Sequence, residues 1–168
     1  MTDYPFLRPG LTLLKTFRLQ APPRRMKEIH FSRRLSWAEY ARVRRGLVPL
    51  TPVDKWLVCH NRSTLYFFRS GSGVLVYKVR FAHSALGFDV TGAWVNNDPE
   101  AIDPLPEEYE CRLLGYLVDR LMLNLETSFP LPEGTPDDRA AFLERLWMGD
   151  GRTSAELPPS DVFGQKII

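Results

Sequence analysis

The sequence predicts an α+β fold: a single domain whose antiparallel meander sheet is covered by two or three helices. Three observations predict it. Residues 55–95 hold four short β-prone segments separated by turn residues, and residues 107–126 repeat apolar side chains at helical spacing. The length of 168 residues suits one domain with its own core, which we place at residues 1–150, followed by a tail at 151–168.

Six segments are predicted as strands. Each is rich in β-branched, aromatic or leucine side chains and is bounded by Pro, Gly, Asn or Ser. The last four follow one another through short turns, which predicts a meander of hairpins. The segments are residues 11–19, 28–31, 55–60, 63–69, 74–81 and 88–95.

Three helices are predicted. Ser36 and Glu39 have the spacing of a capping box, so a helix begins at residue 37, and Gly46 is a natural end for it. The second helix covers residues 107–126, and the third covers residues 136–147 and ends near Gly149. We expect these side chains of the first two helices to be buried: Trp37, Tyr40, Leu114, Leu117, Val118, Leu121 and Leu125.

Residues 70–73, Ser-Gly-Ser-Gly, form either a phosphate-binding loop or a turn. A phosphate loop needs glycines that open a helix, whereas these glycines lie between two predicted strands. The turn is therefore favoured. In the hairpin that it predicts, the sequence numbers of each pair of facing residues add up to 143. That register places Phe68 opposite Leu75 and Tyr66 opposite Tyr77 on the core side. The other side then carries Arg69, Phe67, Lys78 and Arg80, either as an anion-binding surface or as a face under a helix with its cations reaching water.

Basic residues are concentrated at the front of the chain. Residues 1–45 contain eleven Lys and Arg against three acids, a net charge of +8, and the rest of the chain has a net charge of −6. Such clustering is typical of nucleic-acid or polyanion binding, but a basic half that packs beside an acidic half gives the same pattern. The residues available for nucleic acid are Arg24, Arg25, Lys27, Arg33, Arg34, Arg42 and Arg45.

Several function classes find no support in the sequence. No apolar run is long enough to span a bilayer and no export signal precedes the domain, so we expect a soluble, cytoplasmic protein without a membrane partner. Cys59 and Cys111 lack metal-ligand spacing, and adjacent Cys59 and His60 point to opposite strand faces. Residues 96–103 hold oxygen ligands for a hard cation, but a loop that enters a helix explains the same residues without a metal and is favoured. We assign no catalytic residue, metal or cofactor.

An ordered set of motifs resembles a known family. The motifs are RRGLVP at 44–49, DKW at 54–56, the hairpin LYFFRSGSGVLVYKVRF at 65–81, VNNDPE at 95–100 and the helix EYECRLLGYLVDRLML at 108–123. Over residues 44–124 the chain resembles a family of small bacterial domains of unassigned activity. Members occur alone and attached to ADP-ribosylglycohydrolase-type or macro-type modules, and the resemblance implies a link to ADP-ribose or NAD.

We therefore predict a non-catalytic binding module for an anionic nucleotide-like ligand or a modified partner protein. Arg and Lys side chains would bind phosphate, an aromatic ring would stack, and a carboxylate would bind a ribose hydroxyl. Two alternatives stay open: nucleic-acid binding by the basic front, and a metal-dependent hydrolase that uses residues 98–103. The predicted ligand-binding residues are Asp54, Trp56, Phe67, Arg69, Lys78 and Arg80.

Overall fold

A computed structural model describes residues 17–149. The strands are β1 (Met26–Ile29), β2 (Arg34–Leu35), β3 (Trp56–Asn61), β4 (Thr64–Arg69), β5 (Leu75–Ser84) and β6 (Gly87–Asn96). The helices are α1 (Trp37–Val43), α2 (Glu107–Leu117), which continues as a π-helical turn over Val118–Met122, and α3 (Asp137–Met148). The predicted α+β class is confirmed.

The sheet is antiparallel, in the order β1-β6-β5-β4-β3. β1 pairs with the end of β6, at residues 93–96, and β2 pairs with its beginning, at residues 88–89. Strands β3 to β6 form the predicted meander. The strand predicted at 28–31 begins two residues earlier, at Met26. Residues 17–19 are not in a strand, and the rest of the strand predicted at 11–19 lies outside the described residues, as does the tail at 151–168.

Residues 70–73 form a turn between β4 and β5, as predicted. The amide of Gly73 donates to the carbonyl of Arg69 (2.7 Å), and the amide of Arg69 donates to the carbonyl of Val74 (2.9 Å). Gly73 has φ 72°, and a Cβ there would lie 1.9 Å from the carbonyl oxygen of Arg18. A glycine is required because both the backbone conformation and the close approach exclude a side chain.

The predicted register of the β4–β5 hairpin is correct at the turn and wrong beyond it. Phe68 pairs with Leu75 as expected, but a bulge shifts the next pair to Phe67 opposite Tyr77. One extra residue in a strand reverses which side chains share a face beyond that point. Phe67 therefore lies on the same face as Tyr77, and Lys78 lies opposite Tyr66.

Helices α1 and α2, with the π-helical turn, pack on one face of the sheet, which we call the covered face. Its core contains the rings of Trp56, Phe67 and Tyr77 together with the predicted helix stripe Leu114, Leu117, Val118 and Leu121. The prediction that Trp37 is buried is wrong, because it is 55% exposed at the start of α1, where its ring packs against His83 and Phe88. Leu125, also expected in the core, follows the last helical turn and is 43% exposed.

The ends of α1 follow the sequence signals. The hydroxyl of Ser36 accepts from the amide of Glu39 (3.2 Å), and the Glu39 carboxylate accepts from the amide of Ser36 (2.8 Å), which completes the capping box. These hydrogen bonds hold the pKa of Glu39 below its usual value. Within residues 17–149, no helix has the length and apolar character needed to cross a membrane.

Candidate ligand-binding face

The bulge in the β4–β5 hairpin divides the predicted ligand-binding residues between the two faces of the sheet. Trp56, Phe67 and Arg69 pack with the covered-face core or with α3. Lys78 and Arg80 lie on the opposite face, beside Trp94. The single surface that the sequence predicted for Phe67, Arg69, Lys78 and Arg80 is therefore not formed.

Two of the predicted aromatic contacts have no surface for a ligand. Phe67 is 0% exposed and Trp56 is 1% exposed. The indole N–H of Trp56 donates to the backbone carbonyl of Trp147 at the end of α3 (2.7 Å). Both rings are parts of the core in this arrangement.

Asp54 organises the loop before β3. Its carboxylate Oδ2 accepts from the amides of Leu50 (2.9 Å) and Thr51 (2.8 Å), and its side chain is buried. Its backbone carbonyl accepts from the hydroxyl of Ser70 in the β4–β5 turn. These contacts link two loops, and Asp54 lines a small pocket with Trp56, Leu121 and Met148 of the covered-face core.

Arg69 is a packing residue of the covered face. Its guanidinium carbon lies 4.5 Å from the ring centroid of Trp56 and 4.4 Å from that of Trp147. Its Nη1 donates to the carbonyl of Trp147 (3.1 Å). Burial lowers the pKa of Arg69 to about 10, so the group stays charged at neutral pH while it holds the C-terminal turn of α3.

The opposite side of the sheet carries a basic and aromatic surface, which we call the open face. Directly paired residues share a face in an antiparallel sheet. Lys78 pairs with Tyr66 on β4 and with Trp94 on β6, and Arg80 pairs with Gly92. Within residues 17–149 no helix packs against this part of the sheet, where Arg80 is exposed and Lys78 and Trp94 are half-buried.

Trp94 is the centre of the open face. The Nζ atom of Lys78 lies 4.6 Å from a Trp94 ring centroid, and the guanidinium carbon of Arg80 lies 5.1 Å from it. The indole covers Gly92, since a Cβ on Gly92 would lie 2.3 Å from the ring. The glycine thus allows the ring to lie flat on the sheet. Sequence reasoning missed Trp94, although its position two residues after a strand glycine was a readable signal.

The two cations of the open face have no acidic partner in the described part of the chain. No salt bridge there involves Lys78 or Arg80. The nearest acid in register is Glu28, which pairs with Trp94 from β1 and is exposed. The guanidinium charge of Arg80 lies near enough to Tyr66 to oppose the burial that raises the pKa of this hydroxyl.

Three of the seven basic residues predicted for nucleic acid are engaged in ion pairs with the acidic half. Lys27 contacts Glu107 (3.2 Å), and Arg34 contacts Asp89 (2.6 Å). Arg33 makes two hydrogen bonds with Asp119 on the π-helical turn. Charge cancellation, the alternative drawn from the sequence, thus operates at these three positions. The other four have no salt bridge within residues 17–149: Arg24, Arg25, Arg42 and Arg45.

A cleft of about 160 Å³ lies at one end of the open face, between the segment at residues 20–24 and the loop after β6. Asn96 connects the two places, because it lies in the cleft wall and follows Trp94 on the same face of β6. The lining residues are Gln20, Ala21, Pro22, Pro23, Arg24, Val74, Leu75, Asn96, Asp98 and Ala101.

The acidic loop at residues 96–103 is organised by its own backbone. Asn96 Oδ1 accepts from the amide of Asp98 (2.9 Å), and Asp98 Oδ1 accepts from the amide of Glu100 (3.1 Å). In the described part of the chain, no group of three His, Cys, Asp or Glu side chains is arranged to hold a metal ion. The metal-dependent hydrolase that uses residues 98–103 stays a prediction.

Cys59 and His60 point to opposite faces, as strand alternation predicts. Cys59 is buried in a small cluster with Leu57, Phe68 and Leu75, and burial raises the pKa of its thiol to about 12. His60 Nε2 lies 3.1 Å from the hydroxyl of Tyr40 on the covered face, and burial, with Arg44 nearby, lowers the pKa of this imidazole to about 4. The two groups cannot act as a nucleophile and base.

The chain matches no protein-family model, no curated protein and no solved structure. The resemblance of residues 44–124 to small bacterial domains therefore stays a prediction. On the open face, two cations that form no salt bridge within residues 17–149 lie beside a half-buried indole.

Proposed function

We propose that this chain is a non-catalytic binding module that recognises an anionic nucleotide-like ligand on the open face, in the cytoplasm. One observation carries the proposal: Lys78 and Arg80 converge on Trp94 without a salt bridge to any carboxylate of residues 17–149. ADP-ribose and NAD, free or attached to a partner protein, are the ligands that the family resemblance implies.

Each group of the open face has a clear task in such binding. Arg80 and Lys78 supply charged donors for phosphate oxygens, and Arg80 is suited to two parallel hydrogen bonds. The two cations lie over the ring of Trp94, and when they turn to bind phosphate they uncover a ring on which a base can stack. Such stacking is worth about 1–3 kcal/mol per base.

Isothermal titration calorimetry with ADP-ribose, NAD and ATP, at one fixed salt concentration, tests the proposal. We expect Arg80→Gln, Lys78→Gln and Trp94→Leu each to weaken binding by about tenfold, as the loss of one charged hydrogen bond or one stacking contact predicts. Arg112→Gln is the matched control, because Arg112 also lies over an aromatic ring, Tyr109, but on α2.

Two outcomes would contradict the proposal. The first is that none of the three nucleotides binds the wild-type chain. The second is that binding falls equally in Arg112→Gln and in Arg80→Gln, since that would trace the effect to net charge rather than to the open face. A melting curve of each variant separates lost binding from lost folding.

A further inference from the structure

We propose that the cleft beside the open face is a second subsite, so that the ligand has two nucleoside units joined by phosphate. The inference rests on the proposed function, because it extends the same surface from Trp94 to the cleft wall. Asn96 lies four residues beyond Gly92 on one face of β6, which corresponds to about 13 Å at the usual rise of a strand.

A mononucleotide bound at Trp94 would occupy only one of the two places. A nucleotide whose base stacks on Trp94, with its phosphate at Lys78 and Arg80, has no further group to place in the cleft. A second unit, joined through phosphate, reaches it along β6 past Asn96. Two ligand chemistries have this form: a pyrophosphate-linked dinucleotide such as NAD, and an oligonucleotide joined by phosphodiesters.

The cleft has walls that suit a sugar and a base. Pro22, Pro23 and Leu75 give it apolar sides, and the structure fixes its polar rim. The side-chain amide of Asn96 donates to the carbonyl of Leu75 (2.8 Å), and that of Gln20 donates to the carbonyl of Ser72 (3.1 Å). A rim whose side chains are already held in place needs little ordering when a ligand enters.

Two charged side chains of the cleft, Asp98 and Arg24, can still bind groups of a ligand. Asp98 uses its Oδ1 for the amide of Glu100, while Oδ2 has no hydrogen bond within residues 17–149 and can accept from a ribose hydroxyl. Arg24 is exposed, has no salt bridge in the same range, and can contact a phosphate. Glu28, beside Trp94, lies along the same route and opposes phosphate by its charge.

The test compares the affinities of AMP, NAD and a single-stranded tetranucleotide for the full chain and two cleft variants. Ala101→Phe fills the cleft from its exposed wall, and Arg24→Gln removes its cation. We expect each variant to weaken the two-unit ligand by about tenfold and to leave AMP within about twofold, since AMP is held at Trp94. Ala38→Phe, an exposed alanine on α1, is the control for an added phenyl ring.

The outcomes separate this inference from the proposed function. If AMP binds as tightly as NAD and the tetranucleotide, and the cleft variants change nothing, the second subsite is refuted while the open-face site stands. If no nucleotide binds, or Trp94→Leu has no effect on any of them, both proposals fail. Preference for NAD over the tetranucleotide identifies a dinucleotide as the ligand, and the reverse preference identifies an oligonucleotide.

Glu28→Gln tests independently whether the phosphate link of the ligand passes along β6 between the two subsites. Removal of this charge is expected to strengthen the two-unit ligand by about threefold, because a repulsion with phosphate is lost. The gain shrinks at high salt. A purely structural role of Glu28 predicts no gain, so unchanged affinity at low salt would overturn the proposed path along β6.

Discussion

Both faces of the sheet place cations over a tryptophan ring, and the two arrangements differ in their surroundings. On the covered face, Arg69 is enclosed by two indoles and donates to a backbone carbonyl. On the open face, Lys78 and Arg80 lie over Trp94, with Lys78 half-buried and Arg80 exposed. The same pair of residue types therefore stabilises the fold where it is enclosed and keeps its capacity for a ligand where it is exposed.

The largest expected difference between the two faces is the loss of stability when the tryptophan of each face is replaced by alanine. Trp56→Ala is expected to lower the free energy of unfolding by about 3–5 kcal/mol, because it leaves a cavity in the core. Trp94→Ala is expected to lower it by less than about 1 kcal/mol, since the indole is partly exposed. Urea unfolding followed by circular dichroism measures both.

Equal losses of stability in the two tryptophan variants would contradict the difference between the two faces. A Trp94→Ala variant that keeps its stability and loses nucleotide binding would support it. Leu117→Ala serves as a reference for a cavity made by a fully buried residue of the same core that has no cation contact.

The second test removes one arginine from each face. Arg69→Ala is expected to cost about 2–3 kcal/mol, because it removes a desolvated cation–π contact and the packing of the side-chain stem. Arg80→Ala is expected to change stability by no more than about 0.5 kcal/mol. A large loss in Arg80→Ala would show that the open-face cations are structural, contrary to the proposed function.

The third and smallest effect concerns acid stability of the covered face. The pKa of His60 falls from the usual 6.5 to about 4 on folding, mainly through burial, so the unfolded chain binds a proton first as the pH falls. Stability is therefore complete above about pH 6.5 and decreases toward pH 4, by about 1–2 kcal/mol for this partly buried group.

His60→Gln is expected to remove that part of the pH dependence, measured by urea unfolding at pH 7, 6, 5 and 4. Glu107 acts in a different window: hydrogen bonds with His30, followed by the hydrogen bond and charge of Lys27, lower the pKa of Glu107 to about 2, so its contribution is lost as the pH falls from about 4.5 toward 2. An unchanged slope between pH 6.5 and 5 in His60→Gln would contradict the assignment to this residue.

Much of the fold could be predicted because its signals are local. The capping box at Ser36, the turn glycine Gly73 and the apolar stripe that includes Leu114 each depend on neighbours in the chain. The prediction for Trp37 was wrong because helical periodicity assigns a residue to one side of a helix without saying how far the sheet extends beneath it. At the first turn of α1 the indole packs against the rings of His83 and Phe88 and stays 55% exposed.

The candidate site was only partly predictable. Lys78 and Arg80 were identified correctly as partners on one strand face, since alternation along β5 is a local property. Their grouping with Phe67 and Arg69 was wrong because the bulge at Val76 depends on packing around the turn, and a shift of one residue reverses a face. Trp94 joins the site from a different strand, through a register that no single segment contains.

The class of fold, the succession of strands and helices and the positions of the main turns follow from local signals, because backbone propensity and side-chain periodicity act over a few residues. Which cations are enclosed and which are exposed does not follow from such signals. It depends on strand register and on where α3 ends against Arg69, and long-range packing sets both.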